Sequence, residues 1–245
     1  MLNQIHFSIS IIVIFLSTFI IGNIAYFLKE RKNWKSSSSR KFNHFGISLV
    51  SIIFFSFIPI ADTIVTAIFT SLSILIIYII SANSNRPLVQ SIIQSNIRTR
   101  DEPHGTFFVF LPLITGQIAL YISLIFINPV FAKIAFCSMG FGDGLAEPIG
   151  TKFGKHKYKV KDILWKTENT KSLQGSAAVL IVSFLASIII LYVYQSFSYI
   201  QIIYLSILYS IFISFIEGIS PRGLDNFLII ILGTLFLNTV TKYTF

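Results

Sequence analysis

The residues of this sequence best suited to chemistry lie in "MGFGDGLAEPIG" (139–150), where Asp143 and Glu147 stand four positions apart among Gly140, Gly142 and Gly144. A spacing of four puts both carboxylates on one face of a helix, where they repel unless a cation lies between them. Hard oxygen donors of this kind suit Mg2+, which binds through one or two carboxylates together with substrate phosphates. The glycines serve either close helix packing or the approach of a phosphate to the backbone. Directly after the carboxylates comes the lysine-rich run "KFGKHKYKVK" (152–161), with Lys152 and Lys155 at its start. It fits a polyphosphate contact or a basic membrane-flanking loop. "TKSLQGS" (170–176) sets Lys171 and Gly175 at the head of an apolar run. A helix N-terminus attracts anions there, and a plain cap reads the same way. "EGISPRGLDN" (217–226) adds Glu217, Asp225 and Asn226 around a Pro221–Gly223 turn, while Arg40 and His44 precede another apolar run.

Other chemistries lack their signatures. No H-E-x-x-H, G-x-S-x-G, G-x-G-x-x-G or G-x-x-x-x-G-K-[ST] occurs, so any nucleotide chemistry here does not use a P-loop. The single cysteine, Cys137, excludes an intramolecular disulfide and a cysteine-based metal cluster.

The elements that must position these residues are membrane spans. Of 245 residues, 54% are hydrophobic and 12% charged, with mean hydropathy +0.77; soluble domains carry about 25% charged residues. An all-α polytopic membrane protein is expected, a single transmembrane domain over 1–245. Runs at 6–28, 44–60, 62–82, 107–127, 130–149, 175–195, 199–216 and 225–241 are long enough to cross a bilayer, which predicts about eight helices, with seven the alternative. The first, lacking a basic segment before it, reads as a retained span rather than a cleaved leader, peripheral to a motif-bearing core over 38–240.

With the N-terminus outside, the polar connections 29–43, 83–106, 150–174 and 217–224 share one side. They carry all the lysines and arginines except Lys133 and Lys242, and the positive-inside rule makes that side cytoplasmic. The formal charge of +9 therefore suits topology and anionic headgroups rather than nucleic acid. Within 83–106, Val89, Ile92, Ile93 and Ile97 have helical spacing, as an interfacial or re-entrant helix would; a solvated loop is the alternative. The carboxylates, Lys171, Glu217, Asp225, Arg40 and His44 all fall at helix ends on the basic side. A transporter would instead gather polar groups near the midplane, and little but Asp62 and Lys133 lies toward the other side.

In order and content, "RKFNHFG" (40–46), "GDGLAEPIGTKFGKHKY" (142–158), "KSLQGS" (171–176) and "EGISPRGLDN" (217–226) resemble the polyprenol kinase family. That family comprises phytol, farnesol and dolichol kinases and the CTP-dependent diacylglycerol kinase, and is related to phosphatidate cytidylyltransferase. The likeness covers about residues 38–240 and looks nearest to phytol kinase and its bacterial relatives. Gln174 departs from the Glu that members often carry, and the long basic signature that ends the cytidylyltransferases is missing after residue 217.

The resemblance implies transfer of the γ-phosphate of CTP to a membrane isoprenoid alcohol, in a bacterial plasma membrane or a photosynthetic membrane. It implies Mg2+ held by Asp143 and Asp225, with phosphates neutralised by Lys152, Lys155 and Lys171 beside Gly175. Arg40 and Asn226 would orient the nucleotide, and His44, Glu147 and Glu217 would support the site. CDP-diacylglycerol synthesis is the second enzyme reading.

Overall fold

The computed structural model describes residues 2–57, 60–161, 168–194 and 196–244. It is 83% helical, as a bilayer demands of a chain whose backbone N–H and C=O groups must be satisfied within each segment. Among the described residues, six helices are long and apolar enough to cross a membrane, by length and composition. They are carried by α1 (Leu2–Arg31), α3 (Ile60–Ala82), α5 (Gly105–Ile122, continued by a π-helical turn, Ser123–Ile127), α8 (Leu173–Tyr194), α9 (Tyr199–Ile219) and α10 (Asp225–Thr244). The protein is thus an all-α polytopic membrane protein, with six of the eight expected spans meeting that measure.

The other two expected spans take different forms. The second lies in α2 (Ser36–Phe57), a continuous helix whose first turns are serines, Arg40 and Lys41. The fifth is divided into α6 (Pro129–Cys137), a π-helical stretch (Ser138–Asp143) and α7 (Gly144–Phe153). The polar connections also carry structure: α4 (Pro87–Gln94) and a 3-10 turn (Thr99–Asp101) in one, and an antiparallel hairpin of β1 (Lys157–Lys161) and β2 (Glu168–Ser172) in another. Residues 162–167 between the two strands, residues 58–59 within the "FIPIAD" connection (57–62), and the side chain of Asp62 lie outside the described residues.

The chain divides into two compact units, Met1–Ile114 and Thr115–Phe245, the boundary falling within α5. In the first, α1 packs against α2, α3 and α4. Ile14, Ile74, Ile77, Tyr78, Ile92, Ile93 and Val109 form the core. The helix expected near 89–97 therefore exists as α4 and buries Ile92 and Ile93. Its polar side chains are tied in as well. Ser91 donates to Asn23 Oδ1 (2.9 Å), and Ser39 donates to the carbonyls of Ala25 and Ser95 (both 2.9 Å). Lys29 Nζ at the end of α1 donates to the carbonyls of Gln94 (2.9 Å) and Ile97 (3.3 Å). Segments 29–43 and 83–106 consequently meet at one end of this unit.

In the second unit, α8 turns a stripe of small residues inward: Gly175, Ala178, Val179, Ser183 and Ser187 are buried, which lets neighbouring backbones come close. Its other face, with Ile181, Leu185 and Ile189, is exposed and suited to lipid. The divided helix runs the length of α8. Lys133 of α6 lies 4.8 Å from the centre of the Tyr194 ring at one end, and a Cβ on Gly175 would stand 2.8 Å from the Ala146 carbonyl of α7 at the other. Tyr209, fully buried on α9, donates to Ser138 (3.0 Å) where the helix widens.

Candidate active site

The widened stretch before α7 brings Asp143, only 7% exposed, into the end of the second unit where α8 begins, α9 ends and α10 begins. Lys171, next to last in β2, reaches the same place. Its Nζ donates to Glu217 Oε1 (2.8 Å) and to the backbone carbonyl of Glu217. Both side chains are largely buried, 12% and 6% exposed. Burial by itself would pull the lysine below its ordinary range. The carboxylates of Glu217, Asp225 and Asp143 outweigh it and hold the ammonium above that range. Asp143 and Asp225 thus act on Lys171 and Glu217 together: four elements deliver one cation and three carboxylates to one site.

Flexible lysines do not hold such positions unaided, and the hairpin supplies the support. Tyr158 pairs with Lys171 across the strands, so both project from the same face of the ribbon. The Tyr158 hydroxyl hydrogen-bonds Ser176 of α8 (2.8 Å), and a Cβ on Gly218 would lie 3.0 Å from it. Glycine there lets the ring approach α9 beside Glu217. Gln174 Oε1 accepts from the amides of Lys155 (3.2 Å) and His156 (3.4 Å), fixing the root of β1. Sequence reasoning passed over Tyr158, although the alternation K-Y-K-V-K over 157–161 is the period-two signal of a strand.

The expected site residues are distributed as follows. Asp143, Lys171, Glu217 and Asp225 come together. Asn226 follows Asp225, its amide donating to Asp225 Oδ1 (3.0 Å), and faces Gly116 of α5, where an added Cβ would meet the Asn226 Cβ at 3.2 Å. Glu147 is half-buried one turn beyond Asp143. Lys152 and Lys155 are exposed, with Lys152 Nζ 5.2 Å from the Phe153 ring centre. Gly175 donates its amide to Ser172 Oγ (3.1 Å) and allows α8 to touch α7, the arrangement of a helix cap. Arg40 and His44 belong to the first unit. There Arg40 meets the buried Asp101 (3.5 Å), which also pairs with Arg98 (2.9 Å) and Arg100 (3.9 Å). Asp101 was not singled out from sequence, because nothing in its local pattern announces three arginine partners.

Among the described residues no group of three His, Cys, Asp or Glu side chains could hold a metal ion. With Glu217 engaged by Lys171, the donor set reduces to Asp143 and Asp225. Two carboxylates would suit a hydrated Mg2+, which binds proteins in that way together with substrate phosphates, and would not make an all-protein cage.

No family model matches the chain, and no solved structure matches it. A stretch of 98 residues is 31% identical to the phytol kinase of Synechocystis sp.. The match takes in 40% of this chain and spans 39% of the length of that relative. A relationship of the polyprenol-kinase kind is what this similarity supports, and it suggests a kinase.

Proposed function

We propose that the protein is a lipid kinase that transfers the γ-phosphate of CTP to a membrane isoprenoid alcohol, phytol or a related polyprenol, at the cytoplasmic face. The convergence of Lys171 with Glu217, Asp143 and Asp225 at helix ends carries this reading. Phosphoryl transfer asks the protein for positioning and charge neutralisation more than for covalent chemistry, and a fixed lysine among carboxylates supplies both. Lys171 contacts the polyphosphate by exchanging part of its bond to Glu217 for phosphate oxygens. Lys152 and Lys155 add mobile positive charge at the same helix ends. Asp143 and Asp225 would hold Mg2+, which when bound would neutralise charge on the phosphates. The alcohol oxygen attacks the γ-phosphorus, the bond to the β,γ-bridging oxygen breaks, CDP leaves, and the hydroxyl proton passes to Asp143 or Glu147. In this scheme Asn226 orients the nucleotide.

Eight crossings with the N-terminus outside belong to the same proposal. The bonds from Lys29 to Gln94 and Ile97 support α2 and α3 as an out-and-back pair. The run of α6–α7 along α8 supports the divided helix as a full crossing. All four basic connections then lie on the cytoplasmic side.

The direct test is Asp143→Asn, which keeps side-chain volume and removes the charge. Purified protein of unchanged monodispersity should lose at least about a hundredfold in phosphorylation of phytol and farnesol with CTP and Mg2+, the scale for removal of one preorganised electrostatic group. Near-normal turnover would make the carboxylate structural and dissolve the site.

A further inference from the structure

The hairpin has a second face that the proposed reaction does not use. Tyr158 and Val160 of β1, with Asn169 and Lys171 of β2, are half-buried, whereas Lys157, Lys159 and Lys161 are exposed on the other side of the ribbon. Period-two alternation separates the two sets. The register places Thr170 opposite Lys159 and Glu168 opposite Lys161. Glu168, the one acidic residue of the two strands, pairs with Lys159 at 2.6 Å. The outward face therefore keeps a net positive charge, extended at its root by the exposed Lys155. That root lies where α7 ends and α8 begins. Phe153 and Leu173, each 58% exposed, flank it. Apolar side chains left open beside a row of lysines, at the ends of helices built for lipid, match the headgroup boundary of a bilayer.

We propose that the outer face of the hairpin, Lys157, Lys159 and Lys161, is a docking surface for the anionic headgroups of the surrounding leaflet. Headgroup contact on this side holds the ribbon flat. Through the shared strands it also steadies Tyr158 and Lys171 on the other. One ribbon thereby couples the lipid surface to the site, and this last step alone rests on the kinase reading.

The experiment needs neither nucleotide nor alcohol. The full chain is placed in nanodiscs of phosphatidylcholine, or of phosphatidylcholine with about 30% phosphatidylglycerol. Amine acylation rates of individual lysines are then read by peptide mass spectrometry, with exposed Lys35 as reference. Lys157, Lys159 and Lys161 should react at least about threefold more slowly in the anionic discs, relative to Lys35. About 0.5 M NaCl should restore their rates, since screening weakens such contacts. Equal slowing of Lys35 would reduce the effect to general surface potential and overturn the proposal, as would unchanged rates. Protection in neutral discs by added CTP would assign the face to free polyphosphate and overturn it too. Failure of the kinase reading would leave these rates untouched.

Discussion

Lys171 is buried with Glu217 at 2.8 Å and feels Asp225 and Asp143 as well, so its removal does more than delete a cation. Lys171→Met leaves Glu217 buried without its partner, a loss of about 3–5 kcal/mol. The double variant Lys171→Met/Glu217→Gln should recover most of the lost melting temperature and still fail to turn over; recovered activity would place the phosphate contact elsewhere. The pair also sets a pH dependence. The folded lysine titrates above its ordinary value of 10.5, so its stabilisation is complete below that value and disappears as pH rises through the higher folded one. Melting scans from about pH 7 to 9 should show no loss from this pair. A decline above about pH 10.5 should be present in the parent and weaker in Lys171→Met. A parent whose stability fell between pH 7 and 9 in step with that variant would contradict the assignment. Lys152 and Lys155 are different in kind, being exposed. Changing either to Ala should raise the CTP KM about tenfold, the value of a charge-assisted phosphate contact of about 1.5 kcal/mol, while Lys35→Ala leaves it unchanged. Equal KM values for all three variants would make the lysine run a matter of topology alone.

At the level of elements, the site depends on how closely α7, α8 and the hairpin approach one another. A Cβ on Gly175 would stand 2.8 Å from the Ala146 carbonyl, whereas one on Gly142 would meet Val179 Cγ1 at 3.4 Å, an ordinary contact. Gly175→Ala should therefore cost about 1–3 kcal/mol by forcing backbone apart, and Gly142→Ala should be tolerated. Thermal unfolding in detergent checks both, and equal effects would contradict the packing described. Asp143, Lys171, Glu217 and Asp225 were legible in the sequence as charges at helix ends, because charge within an apolar chain stands out and helix ends follow from hydropathy. The devices that aim them were less so. Gly175 reads in sequence as part of a phosphate-binding helix start or a plain cap, and its close approach to Ala146 is a tertiary fact with no local signature. The 152–161 run reads as a polyphosphate contact or a basic loop, and its strand alternation is masked by the number of lysines. The fifth apolar run read as one span, yet Gly140 and Gly142 accompany a π-helical stretch that delivers Asp143. Periodicity counts turns and does not report their width.

Over the whole molecule, the distribution of basic residues and the meeting of 29–43 with 83–106 at one end of the first unit make a topological prediction. In a Cys137→Ser background, single cysteines at positions 35, 86 and 157 should all resist an impermeant maleimide in intact cells and react after permeabilisation. Labelling of residue 157 from outside would reverse the orientation, and opposite behaviour at 35 and 86 would remove α2 as a crossing. Apolar runs made the all-α, polytopic character readable. The division into two units was not, since no linker or change of composition marks the middle of α5. The central claim concerns the reaction itself, and product analysis tests it most directly. Purified protein is incubated with phytol, farnesol, phosphatidate, Mg2+ and CTP carrying 18O in its γ-phosphate, and the lipids are examined by mass spectrometry. Isoprenoid monophosphate bearing the 18O-labelled phosphoryl group, accompanied by CDP, is the predicted result; CDP-diacylglycerol with release of pyrophosphate, or no lipid product at all, would contradict it.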